Sequence, residues 1–162
     1  MTWRQLGIGL GASGVAIGLY LLWSWQPERQ VAHRFGELLT ALEDRKWKKV
    51  DQLISPEYSD EWGTRKADLL RWSEEGLRHF FWITFTPADP RFSREAEGVI
   101  TVETRLKLDG RGTAIASAAI DRVNGLSDPI LFVWRKEGGK PWDWRLASIR
   151  QSEINLQTTP WE

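Results

Sequence analysis

The chain has 162 residues, and its 22 lysines and arginines balance 22 aspartates and glutamates. That balance leaves no electrostatic footprint for nucleic acid. The absence of cysteine excludes disulfides, thiolate metal sites, cysteine nucleophiles and lipoprotein acylation.

The first element is the run LGIGLGASGVAIGLYLLW, residues 6–23, eighteen positions without a charge. At 1.5 Å per residue a helix of that length is about 27 Å long, close to the hydrocarbon thickness of a bilayer. Trp3 stands at one end and Trp23 and Trp25 at the other, where indoles sit among headgroups; Gln26 and Pro27 then end the run. Nothing else in the chain is apolar enough to wrap such a helix as core, and no small-x-small cleavage site comes after it. Residues 1–27 therefore read as an uncleaved transmembrane signal anchor, with membrane lipid as the first partner, contacted through residues 6–23. Arg4 on one side and Arg29, Arg34 and Arg45 on the other leave the positive-inside count balanced. Short basic N-terminal anchors export the domain attached behind them, so the expectation is a single-pass protein whose soluble domain is extracytoplasmic, periplasmic in a bacterium.

Two glycine patterns lie inside this run. Gly9, Gly11 and Gly14 match the G-x-G-x-x-G dinucleotide fingerprint. That motif needs a buried strand to present its turn, and only MTWRQ and Leu6 come before the run's first glycine, so no nucleotide cofactor is expected. Gly7, Gly11, Gly14 and Gly18 fall on one helix face, where small residues let two backbones approach closely. They are candidates for transmembrane packing against a second copy or a membrane-protein partner. The alternative is a helix that merely contains glycines.

Residues 28–152 read as one domain, with 153–162 as a tail. Val31, Phe35, Leu38, Leu39 and Leu42 repeat at helical spacing. Asp44 is placed to cap a second short helix carrying Trp47, Val50, Leu53 and Ile54, which Ser55 and Pro56 stop. Residues 58–63 form a loop. Thr64 is placed to cap a third helix whose apolar residues are Leu69, Leu70, Trp72 and Leu77.

The period then changes to two. HFFWITFT, residues 79–86, predicts a strand buried on both faces and closed by Pro87, with a loop over residues 88–97 after it. In residues 99–108, Ile100, Val102, Thr104, Leu106 and Leu108 share one face. Asp109 and Gly110 signal a hairpin turn. A three-residue loop there pairs Ile100 with Ile120, Val102 with Ala118 and Thr104 with Ala116, whereas a loop one residue longer or shorter flips that face. In the last hairpin, a loop over 137–141 sets Trp134 against Trp144, Phe132 against Leu146 and Arg135 against Asp143.

Helices leading into an antiparallel meander describe an α+β roll. The run ALEDRKWKKVDQLISPEYSDEW, residues 41–62, resembles the helix–turn–helix of the nuclear transport factor 2-like, cystatin-like superfamily. The third helix and the tryptophan-rich strand WDWRLASI, residues 142–149, are similar to it too, so the resemblance covers about residues 28–152. It implies a cone-shaped roll of about three helices packed on a curved antiparallel sheet of four to five strands. It also implies a set of relatives that includes isomerases, dehydratases and non-catalytic assembly modules. A single-span anchor ahead of such a domain further resembles the periplasmic scaffold subunits of bacterial type IV secretion systems.

Enzymes of that superfamily place a carboxylate or histidine on the concave face. Here the candidate pocket-lining residues are Thr104, Ala116, Ala118 and His79, a set poor in acids and bases. Two distant histidines and the absence of H-E-x-x-H and G-x-S-x-G give no metal site and no serine nucleophile. Aromatic and arginine-rich surfaces are where partners bind. Trp62, in a loop, and Trp161, in the tail, are therefore the candidate partner contacts. The sequence points to a membrane-anchored, non-catalytic interaction or assembly module. The alternatives are a binder of a small apolar ligand in the cone and an isomerase or hydratase.

Overall fold

The computed structural model describes residues 26–154. The anchor with Gly7, Gly11, Gly14 and Gly18, and the tail residue Trp161, lie outside these described residues. Among the described residues, no helix is long and apolar enough to cross a membrane.

Helix α1, Pro27–Glu43, starts on a proline at its first turn, a residue whose φ is already helical and whose missing N–H would have had no partner there. It buries Val31, Phe35, Leu38, Leu39 and Ala41. Asp44 ends this helix instead of opening the next. The N–H of Lys46 reaches back to the carbonyl of Ala41 at 2.8 Å, and that of Arg45 to Leu42 at 3.1 Å. This is a Schellman closure, with Arg45 at φ 55° where glycine is usual. Helix α2, Trp47–Leu53, buries Val50 and Leu53. Helix α3, Lys66–Leu77, is preceded by Arg65 at its cap position, with Thr64 buried just outside.

Four strands come next in the order β1-β2-β3-β4, all antiparallel. They are β1, Phe80–Ala96; β2, Val99–Gly112; β3, Ile130–Lys136; and β4, Trp144–Arg150. Helix α4, Ala114–Asn124, lies between β2 and β3 in sequence. The expected α+β roll is present, with four helices and four strands among the described residues.

Three expectations about the sheet are corrected. Strand β1 does not stop at Pro87, which pairs with Leu106. The strand is at the sheet edge, and the N–H of Phe85 points outward to Glu43 Oε1 at 2.7 Å. Pro87, two residues on, has its nitrogen on that same outward side, where the ladder needs no donor. The supposed loop after it is strand as well, re-aimed by a bulge between Ala88 and Arg91 with Asp89 at φ 47°.

Second, the turn is not at Asp109 and Gly110, which pair with Thr84 and Ile83 inside the ladder. The chain turns at residues 97 and 98, with Gly98 at φ 71°. Gly110 and Gly112 serve close approach: a Cβ would sit 2.7 Å from the Trp82 carbonyl oxygen at the first and 2.1 Å from that of His79 at the second.

Third, residues 114–124 are helix, so the pairings of Ile100 with Ile120, Val102 with Ala118 and Thr104 with Ala116 do not form. AIASAAI fits an alternating pattern, but alanine is the strongest helix former.

The β3–β4 hairpin forms in a register displaced from the expected one by two residues at Trp134 and by three beyond the bulge at Phe132. Trp134 pairs with Leu146, Phe132 with Ile149 and Lys136 with Trp144, and a bulge separates Val133 from Trp134. Because the shift at the tryptophans is even, both indoles remain in the core. Arg135 pairs instead with Glu57 at 3.1 Å, and Asp143 lies 3.7 Å from Arg145.

The main core joins α1, α2 and the segment after it to one face of β2, β3 and β4. A smaller core gathers Leu77, Phe80, Ile83, Leu108 and Ala116 under α4.

Candidate functional site

The concave face of the sheet is where the superfamily resemblance would put a pocket. Here Ile100, Val102, Phe132, Trp134, Trp144 and Leu146 meet Val31, Phe35, Leu38 and Leu39 of α1 in one buried cluster. The rings of Phe35 and Phe132 stand 5.0 Å apart between centroids, tilted by 53°. Trp134 is completely buried. This interior is packed with side chains. The indole N–H groups of Trp134 and Trp144 find no hydrogen-bond partner among the described residues.

Thr104, on this face, is buried with its hydroxyl 2.9 Å from the Ala88 carbonyl and 3.1 Å from that of Arg105. Ala116 belongs to the smaller core and Ala118 is exposed on α4, so neither shares a sheet face with Thr104. His79 is half-buried in the turn between α3 and β1, its Nδ1 3.4 Å from Thr113 Oγ1. The structure does not bring these four residues together.

The 58–64 loop is braced from within. Asp60 Oδ1 accepts from the N–H groups of Trp62, at 3.1 Å, and Thr64, at 2.8 Å. Its Oδ2 accepts from the Tyr58 hydroxyl at 3.1 Å. Burial, and then the Asp60 carboxylate, push the Tyr58 phenol well above its ordinary range. Trp62 is half-buried in this loop.

A cleft of about 270 Å³ opens where β2 runs past the end of β3. The last β2–β3 pair is Thr104 with Ile130, and the next support on that edge is the Asn124 side chain. Its amide donates to the Leu108 carbonyl at 2.9 Å and accepts from the Leu108 N–H at 2.8 Å. Leu106, Val123, Leu126 and Ile130 line the cleft with Arg105 and Asp128.

Two exposed aromatics lie elsewhere, at the start of β1. Phe81 is 72% and Trp82 49% exposed. A strand sends consecutive side chains to opposite faces, but a bulge between Phe80 and Trp82 turns both outward. Arg45 holds this corner by donating to the Phe80 carbonyl, and the Thr113 N–H donates to that of His79 at 2.9 Å. The exposed Ile115 stands on the first turn of α4 beside it. Sequence reading missed Phe81 and Trp82 because HFFWITF looks buried on both faces, and the bulge has no local signature.

No protein-family model matches the sequence, and no curated protein matches it. Solved structures do match its fold. A proposed dehydratase of the NTF2-like family from Streptomyces avermitilis is similar with a TM-score of 0.57 and 15% identity, covering 76% of this chain and 93% of that one. A protein of unknown function with a cystatin-like fold from Nostoc punctiforme gives 0.52 and 14%, covering 74% and 85%. Bd1075 from Bdellovibrio bacteriovorus gives 0.56 and 11% over 78% of this chain, which spans 41% of that longer protein. These likenesses define the fold of residues 26–154 as the NTF2-like, cystatin-like roll.

Proposed function

We propose that the chain is a single-pass, membrane-tethered, non-catalytic interaction module that presents Phe81 and Trp82 to a protein partner outside the cytoplasm. The observation that carries this reading is the outward pair itself, two large aromatics side by side on a bulge held by Arg45. Aromatic residues of this kind supply most of the energy at protein interfaces. The packed interior of the roll supports the same reading, since Trp134, Trp144, Phe132 and Phe35 occupy the space a substrate would need. The tether is the apolar run of residues 6–23.

A photo-reactive residue introduced at Phe81 in the complete chain tests this in cells. One discrete adduct from position 81, and none from Lys48 on α2, is the expected result. Equal labelling from both positions would remove the partner surface. The competing reading is a small ligand or substrate in the cleft beside Leu106, with Asp128 as the carboxylate that lines it. Turnover lost in Asp128→Asn with the fold intact would favour that reading instead.

A further inference from the structure

A further exposed aromatic stands nearer the start of α1 than Phe81 does. Trp142, 58% exposed, sits in the 138–142 loop between β3 and β4. Its carbonyl accepts from Arg34 Nε at 2.8 Å and Arg34 Nη2 at 2.7 Å, which ties the loop to the second turn of α1. The loop is held at its base as well. The Glu137 N–H donates to the Asp143 carbonyl at 3.0 Å, and the Asp143 N–H to the Lys140 carbonyl at 3.2 Å. Glu28 pairs with Arg94 at 2.7 Å, so the far end of β1 lies here too. A cleft of about 360 Å³ flanks Trp142 on the α1 side, lined by Arg29, His33, Arg34 and the carboxylate of Glu37. Lys140 and Arg145 line another on the opposite side, together with Asp143. An exposed indole beside the exposed Lys140, with Arg34 paired to Glu37 and Arg145 to Glu137 and Asp143 nearby, brings together the aromatic and basic groups that suit phospholipid headgroups.

The sequence places this end nearest the bilayer. The apolar run ends at Trp23 and α1 begins at Pro27. The intervening residues can span at most about 14 Å. Arg34 lies only about 10 Å further along the helix axis. A link this short lets α1 incline until the loop meets the headgroup layer.

We propose that Trp142 and Lys140, clamped to α1 by Arg34, rest on the lipid headgroups of the bilayer that holds the chain. The contact fixes the tilt of the domain and turns Phe81 and Trp82 away from the membrane. This rests on residues 6–23 being a membrane span.

Because the chain has no cysteine, single-cysteine nitroxide labels can test it in the complete protein reconstituted into phosphatidylcholine–phosphatidylglycerol vesicles. Gly139→Cys is suitable because nothing lies within 4 Å of an added Cβ there, and it leaves Trp142 in place. Lys140→Cys serves as a second position, Phe81→Cys reports the far end, and Ala16→Cys the span. The readout is collision with lipid-soluble oxygen against collision with an aqueous nickel chelate. The oxygen-to-nickel ratio at 139 is expected to exceed that at 81 severalfold, and to fall to the value at 81 when Trp142→Ala is added. Equal ratios at 139 and 81 with a lipid-like label at 16 would overturn the headgroup contact alone. An aqueous label at 16 would overturn the span, and the contact with it. A ratio at 139 indifferent to Trp142→Ala would remove the role given to that indole.

Discussion

Glu37 shows how one residue ties helix α1 to α2. Its carboxylate lies 2.7 Å from Arg34, 3.5 Å from Lys49 and 3.6 Å from His33. Burial alone would raise its pKa. The Arg34 hydrogen bond and the neighbouring positive charges outweigh that and hold it below its ordinary value of 4.5. A carboxylate with a depressed folded pKa contributes stability that is present above the unfolded value and lost as pH falls through the folded one. Glu37→Gln is therefore expected to lower stability at neutral pH. The side chain is 27% exposed and screened by solvent, so the loss stays below about 1 kcal/mol. In urea melts the gap between the two proteins should close in acid, below the ordinary carboxylate range; a gap that persists there would mean the carboxylate charge does not matter. The same substitution frees Arg34 from one of its two attachments and leaves the Trp142 carbonyl with the other.

Each long strand has an edge that an open ladder would leave unpaired, and side chains close both. On β1, Glu43 takes the outward N–H of Phe85, and Pro87 presents no N–H two residues later. On β2, beyond the last pairing with β3, Asn124 stands in for a strand by engaging both backbone groups of Leu108. An exposed edge is a template for pairing with another chain, so these contacts protect as well as stabilise. Asn124→Ala removes two hydrogen bonds at a site that water can partly reach. The expected cost is about 1–2 kcal/mol in urea unfolding. Faster amide exchange at Leu108 should accompany it while Val102, in the main core, stays protected. Exchange unchanged at Leu108 would show that Asn124 is not what closes this edge.

At the scale of the molecule, the two ends are separated by the length of α1. Glu28 meets Arg94 at one end, and Arg45, just past the helix, meets Phe80 at the other. Seventeen residues of helix put about 25 Å between them. Under the proposed reading, a tether at the first end would hold the exposed aromatic pair at the second off the bilayer. Both cores are built within residues 26–154, so a chain starting at Gln26 should fold alone. Circular dichroism should show a cooperative thermal transition, and the fragment should remain in the supernatant after alkaline carbonate treatment of membranes. The complete chain should stay in the pellet; its release by carbonate would remove the tether, and a non-cooperative melt of the fragment would mean that residues before 26 complete the fold.

The helical stripes and the inner face of β2 were legible in the sequence because they are local patterns. Val31, Phe35, Leu38 and Leu39 are buried as their spacing predicts, and Ile100, Val102, Thr104 and Leu108 share the buried face expected of them. That was enough to reach the α+β roll. It was not enough to place the exposed aromatics or to find α4. Whether AIASAAI is strand or helix depends on whether a strand partner is available, and β1 already occupies that side of β2. Whether Pro87 ends a strand depends on which edge its nitrogen faces, which only the β1–β2 ladder sets. Phe81 and Trp82 both reach the surface because a bulge shifts the alternation by one residue, and the glycines opposite let the two backbones close. Residue periodicity determines which side chains seek a core; which backbone lies next to which is decided by non-local pairing, and the exposure of Phe81 and Trp82 is set by that pairing.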